Sequence, residues 1–134
     1  MLGAAVERMH GSLFFGLLMV ITHIGGMALQ VTLPGEEALP AALHRLAGSP
    51  FAVGASGAVY GVFGYLWIRP MLDPSYPIRI GQQNIVLMLV WLVACVFVID
   101  NVANGGHIGG LLSGMLAAYI VVNFLSPSND NAKT

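Results

Sequence analysis

Charge is the scarcest thing in this sequence. Lysine and arginine number five, aspartate and glutamate six, together 8% of 134 residues. Soluble domains carry about 25% charged residues, so a water-soluble fold of this size is excluded for want of polar surface. A net charge of −1 leaves no basic patch, and nucleic acid is not an expected partner. The single cysteine, Cys95, rules out an intrachain disulfide and reads as a small core or lipid-facing residue. No Cys/His cluster has ligand spacing, so neither a metal nor a cofactor is expected. A cleaved leader is not expected either. Glu7 balances Arg8, and the apolar run that follows, about 20 residues, is longer than a usual signal-peptide core.

What the chain has in abundance is apolar side chains, 57% of its residues, with a mean hydropathy of +0.80. Four apolar segments stand out, at 12–33, 51–68, 84–99 and 105–125. Each approaches the length needed to cross ~30 Å of hydrocarbon as a helix, the third only just. Lipid offers no partners for free backbone groups, so helices are required. The expected fold class is therefore an all-α, polytopic membrane bundle with four spans, residues 1–125, followed by a polar tail at 126–134. Between the spans, 34–50 reads as a Pro-bounded loop with a short helix over 36–47. The 69–83 connection carries three prolines and cannot be helical throughout, and 100–104 reads as a tight turn. Arg8, Arg69, Arg79 and Lys133 fall on one side of four spans and Arg45 on the other. That asymmetry predicts cytoplasmic termini in a multi-pass protein whose other partner is the lipid bilayer.

With that orientation, Ser56 and His107 each stand near the start of a span that begins at the outer face, at similar depth. A helix start offers unpaired N–H groups and a positive dipole end, which favour developing negative charge. Gly54 and Gly57 clear side chains from around Ser56, and Tyr60 lies one turn on, on the same face. A serine hydroxyl needs a base to become a useful nucleophile, and His107 is the candidate at matching depth. Tyr60, by ring packing, would hold the imidazole, which makes a dyad. A second reading stands beside this one. Gly57, Gly61 and Gly64, and Gly106, Gly110, Gly114 and Ala118, follow small-residue spacings that let membrane helices pack closely. The two readings are compatible, since close packing is what would bring Ser56 to His107.

"GASGAVYG" (54–61) followed by "ANGGHIGGLLSG" (103–114) resembles the rhomboid family of intramembrane serine proteases, whose pattern is Gly-x-Ser-Gly and His-x-x-Gly-x-x-x-Gly. The resemblance implies Ser56 as nucleophile, His107 as general base, Tyr60 as the aromatic stacked on it, and Gly110 and Gly114 as packing glycines. "LGAAVER" (2–8) and Gly11 resemble the stretch that follows the family's second helix. By this likeness the chain carries four of six core helices and cleaves transmembrane substrates near the outer face, and the compact form suggests a bacterial inner membrane. The family's His-x-x-x-Asn oxyanion motif is missing. His10, His23 and His44 are followed at the fourth position by Phe14, Met27 and Gly48. The chain is thus expected to be an N-terminally shortened rhomboid, with the Ser56 backbone N–H as remaining oxyanion donor. The alternative function is a catalytically impaired membrane module that binds client helices.

Lesser expectations complete the reading. Asn104 caps the last span or, by the resemblance, braces His107 or contacts substrate, and His23 is a packed mid-span histidine or a substrate contact. Trp67 anchors the cytoplasmic boundary, Trp91 meets lipid or helix two, and Glu7 pairs with Arg8.

Overall fold

The computed structural model describes residues 2–46, 56–98 and 104–125, and these are helical almost throughout. A short helix α1 (Leu2–His10) leads into α2 (Ser12–Thr32), then α3 (Ser56–Leu72), α4 (Gln82–Phe97) and α5 (Asn104–Ile120). Beyond α5 the backbone widens into one π-helical stretch, Val121–Leu125. Among the described residues there is no strand.

The apolar runs account for most of these boundaries. α2 has 21 residues and Asn104–Leu125 has 22, each long and apolar enough to cross a membrane, while α4 is a shorter apolar helix. α1 and α2 are separated by Gly11, whose φ of +88° is a left-handed conformation that glycine adopts without steric cost. Its N–H still donates to the Glu7 carbonyl at 2.8 Å, so the break is a bend and not a loop.

Two expectations need correction, and one contact was not foreseen. A single helix over 36–47 is replaced by two 3₁₀ turns, Glu36–Ala38 and Ala41–Leu46. Pro40 lies between them, and it lacks an N–H and pushes Leu39 away from helical backbone. α3 does not stop at Ile68 but runs through Arg69 and Pro70 to Leu72. There Arg69 is buried and its Nη1 donates to Asp73 at 2.9 Å, which holds the last turn closed around the proline. Glu7 accepts from the Ser12 hydroxyl at 2.6 Å, an arrangement the expected Glu7–Arg8 pair did not foresee.

The long helices cross by way of glycine. A methyl group on Gly110 would land against the Gly57 carbonyl, and one on Gly114 against the Gly61 carbonyl. α3 and α5 therefore run parallel with their backbones in contact, four residues of one for four of the other. α2 runs antiparallel to both: its Thr22 fills the space over Gly61, and a methyl on its Gly26 would meet the Gly106 carbonyl at 2.6 Å. Thr22 is fully buried and its hydroxyl donates to the Leu18 carbonyl at 2.8 Å, so it satisfies itself within its own helix. α4 is held mainly by Tyr60, Phe63 and Leu111, which meet Ile85, Met88 and Leu92. Close approach of small residues is the usual basis of helix association where lipid removes any hydrophobic drive between helices.

Outward-facing positions are apolar as well. Leu13 and Leu17 on α2, Leu87 and Trp91 on α4, and Leu112 and Leu116 on α5 are all more than half exposed. Water does not tolerate apolar faces of that extent on a monomer, whereas lipid solvates them. Trp91 points outward with this set, while Trp67 is half-buried and stacks on Phe63 at 5.6 Å.

Candidate functional site

Interior polar groups are expensive in such a bundle, and among the described residues the buried ones are Thr22, Gln30, Arg69, Asn104 and His107. Gln30, Asn104 and His107 gather at one end, where α5 begins. The end is marked by a close backbone crossing of α3 and α5. Gly57 is the second residue of α3, and a methyl there would meet the Gly106 carbonyl at 3.0 Å. Ser56 directly precedes Gly57 in sequence, and His107 directly follows Gly106. The glycine crossing thus brings together the backbones that carry the expected nucleophile and base. Gly54 and the Ser56 side chain lie outside what the structure describes.

His107 is 5% exposed and packs against Tyr60, with ring centroids 4.9 Å apart and planes at 40°. The contact is tilted. Tyr60 is itself held on two other sides: its hydroxyl donates to the Met88 carbonyl of α4 at 3.2 Å, and its ring meets Phe63 edge-on at 6.4 Å. The imidazole therefore rests on an aromatic wall that is tied to α4. Asn104 is 2% exposed and belongs to the first turn of α5, one turn before His107 on the same face.

Gln30 was not anticipated. It is 2% exposed, near the end of α2, and its Oε1 accepts from the Gly106 N–H at 3.1 Å. One of the unpaired donors of the α5 N-terminus is thereby satisfied from a neighbouring helix. The signal for it lay in Thr22, Gly26 and Gln30, spaced by four on one helix face; a glutamine inside an otherwise apolar run is a functional candidate by default. His23, one residue off that face, is half-buried.

Chemically, two parallel helices begin here side by side, so two positive dipole ends converge and favour negative charge. An imidazole with a fixed ring plane stands at the same level. Among the described residues no group of histidine, cysteine, aspartate or glutamate is arranged to hold a metal ion.

A glycine-packed helical bundle with lipid-facing apolar surfaces and a histidine against a tyrosine at one end defines a class of polytopic membrane protein. Residues 1–124 match the rhomboid domain, and the chain belongs to the rhomboid family. It is 37% identical over 121 residues to a protein named rhomboid protease GlpG from Klebsiella pneumoniae subsp. pneumoniae. The same identity over the same length relates it to a rhomboid protease GlpG from a second strain of that species. In each case 89% of this chain is covered but only 39% of the relative, so the chain spans well under half the length of the curated relatives it matches.

Proposed function

We propose that this chain is the catalytic part of an intramembrane serine endopeptidase that cuts transmembrane proteins near the outer face of a bacterial inner membrane. Residues 1–125 form the multi-pass membrane unit, with 126–134 a polar tail and both termini cytoplasmic. As the Ser56 hydroxyl attacks the scissile carbonyl, His107 takes its proton. The resulting oxyanion is met by the Ser56 backbone N–H and the α3 dipole end. His107 then returns the proton to the leaving amine, and a water activated by the same imidazole hydrolyses the acyl-enzyme. Gly54 leaves room for the substrate backbone, Tyr60 fixes the imidazole plane, and Asn104 braces the turn that carries it.

The observation that supports this most is the coincidence of two contacts. Gly57 meets Gly106, and His107 meets Tyr60 at 4.9 Å, so the backbone crossing and the aromatic wall converge on one point. A bundle that needed glycine only for packing has no use for a buried imidazole there. The test is fluorophosphonate labelling of the chain in lipid, beside Ser56→Ala and His107→Ala. Labelling that disappears in both variants is the expected result. A folded, membrane-inserted chain that takes no label would leave the client-binding reading in its place.

A further inference from the structure

The end of the bundle away from Gly57 holds a second polar cluster that the proposed chemistry does not use. α1, α2, α3 and the α3–α4 connection meet there around His10. Its Nε2 lies 3.0 Å from the Tyr76 hydroxyl and 3.3 Å from the Tyr65 hydroxyl, so one ring nitrogen links α1 to α3 and to the connection beyond it. The imidazole is stacked on Tyr76 at 5.8 Å and 16°, meets Tyr65 edge-on at 5.9 Å, and lies 4.5 Å from Phe14 of α2. Tyr65 is fully buried and Tyr76 is 5% exposed. The Arg69 guanidinium stands over the Tyr76 ring at 4.6 Å.

The charges around His10 favour its neutral form. On its own helix Glu7 and Arg8 are exposed, and the Glu7 carboxylate is engaged by Ser12. α2 contributes the uncharged Phe14. α3 contributes Tyr65 and the Arg69 cation, and the connection contributes Tyr76 and Asp73, whose carboxylate is taken by Arg69 and Ser75. The nearby cation is paired with Asp73, and both carboxylates are engaged by groups other than His10.

We propose that His10 is a proton-operated clasp: neutral, it accepts a tyrosine hydroxyl and pins α1 and the α3–α4 connection to α3; protonated, it lets this end of the bundle loosen. Protonation turns the Nε2 acceptor into a donor, so both tyrosine hydroxyls must reverse their roles, and it sets a second positive charge near Arg69. Burial first, and Arg69 second, push the His10 pKa below its ordinary 6.5. The sign follows: the loosened form takes up the proton first, so the clasp is fully effective above 6.5 and is lost as pH falls through the lower, folded value. Arg69 lies thirteen residues along α3 from Ser56, or about 20 Å of helix, so the device is independent of the Ser56–His107 reading.

The test is a ring titration of His10 by NMR in the detergent-solubilised full chain, with thermal unfolding recorded from about pH 7.5 to about pH 5, the range where histidine changes charge. The resonance is assigned by elimination, with His23, His44 and His107 replaced in turn, so the result does not require a His10 variant that folds. The ring is expected to titrate below 6.5, and the Tm to fall with acid by more than it does in His10→Gln, which keeps a hydrogen-bonding amide without a titratable proton. A ring titrating at or above 6.5, or an equal fall in both chains, would overturn the clasp. Neither readout involves fluorophosphonate, so failure here and failure of the protease reading are distinct outcomes.

Discussion

Replacing Gly110 by alanine adds one methyl group at a crowded point of the α3–α5 crossing. That methyl would fall against the carbonyl of Gly57, a backbone atom within the first turn of its helix. A flexible side chain could swing aside; a helix backbone cannot, so the two axes must separate. Overpacking of this kind costs about 1–3 kcal/mol, and a backbone obstacle places it near 3. Alanine recovers about 1 kcal/mol of helix propensity that glycine forfeits. The net expectation is a loss of about 2 kcal/mol, or roughly thirty-fold in the folding equilibrium. Gly16 on α2 is the matched control, because a methyl there meets nothing within 4 Å. Gly16→Ala keeps only the propensity gain and is expected to stabilise by up to about 1 kcal/mol. Equilibrium unfolding in mixed micelles measures both. Effects of the same sign would refute the close-packing account.

The same substitution tests the link between packing and chemistry. An axis separation of about 1 Å at Gly57 misplaces Ser56 against His107, and a misplacement of that size costs on the order of a hundred-fold in rate. Gly114→Ala makes the equivalent clash with the Gly61 carbonyl, one turn further from the site. It is expected to lose similar stability while retaining more of the fluorophosphonate labelling rate. Equal labelling losses in the two variants would mean that the crossing at Gly57 has no special claim on the site.

Three further outcomes are expected. Tyr60→Phe removes the hydroxyl bond to Met88 and costs about 1 kcal/mol of stability, yet it keeps the ring against His107, so labelling persists; Tyr60→Leu is expected to lose labelling as well. Gln30→Leu leaves the Gly106 N–H without its Oε1 acceptor beside a buried site, a cost of about 1–3 kcal/mol, and slows labelling more than a substitution at the exposed Leu17. Asp73 is held below its usual carboxylate range by its hydrogen bonds to Ser75 and then Arg69, so its contribution is complete above 3.8 and disappears as pH falls through the folded value. Thermal unfolding below about pH 5 should therefore decline less steeply in Asp73→Asn than in the unmodified chain.

What could be read from the sequence, and what could not, divides along the range of the interactions involved. The apolar run 12–33 became Ser12–Thr32, and 84–99 became Gln82–Phe97, because in lipid the hydrocarbon thickness alone sets a helix's extent. Gly57, Gly110 and Gly114 were legible for the same reason: a small-residue spacing is written along one helix, and only its partner must be supplied. α1 was missed because nine residues are too short to carry such a length signal, and its buried Val6 packs only once the other helices are in place. Gln30 and His10 show the limit most clearly. Neither makes its main bond within its own segment: Gln30 reaches Gly106 across 76 positions, and His10 reaches Tyr76 across 66. Local spacing marks such residues as out of place in an apolar or interfacial setting but cannot say what receives them. Two kinds of contact therefore hold the bundle. Glycine and shape hold α3 to α5 from their starts to their middles, while directional hydrogen bonds add Gln30 of α2 to one end and His10 of α1 to the other. Shape does not respond to protons, nor does the amide bond of Gln30, but the His10 bond does, which is why pH sensitivity is expected at the His10 end.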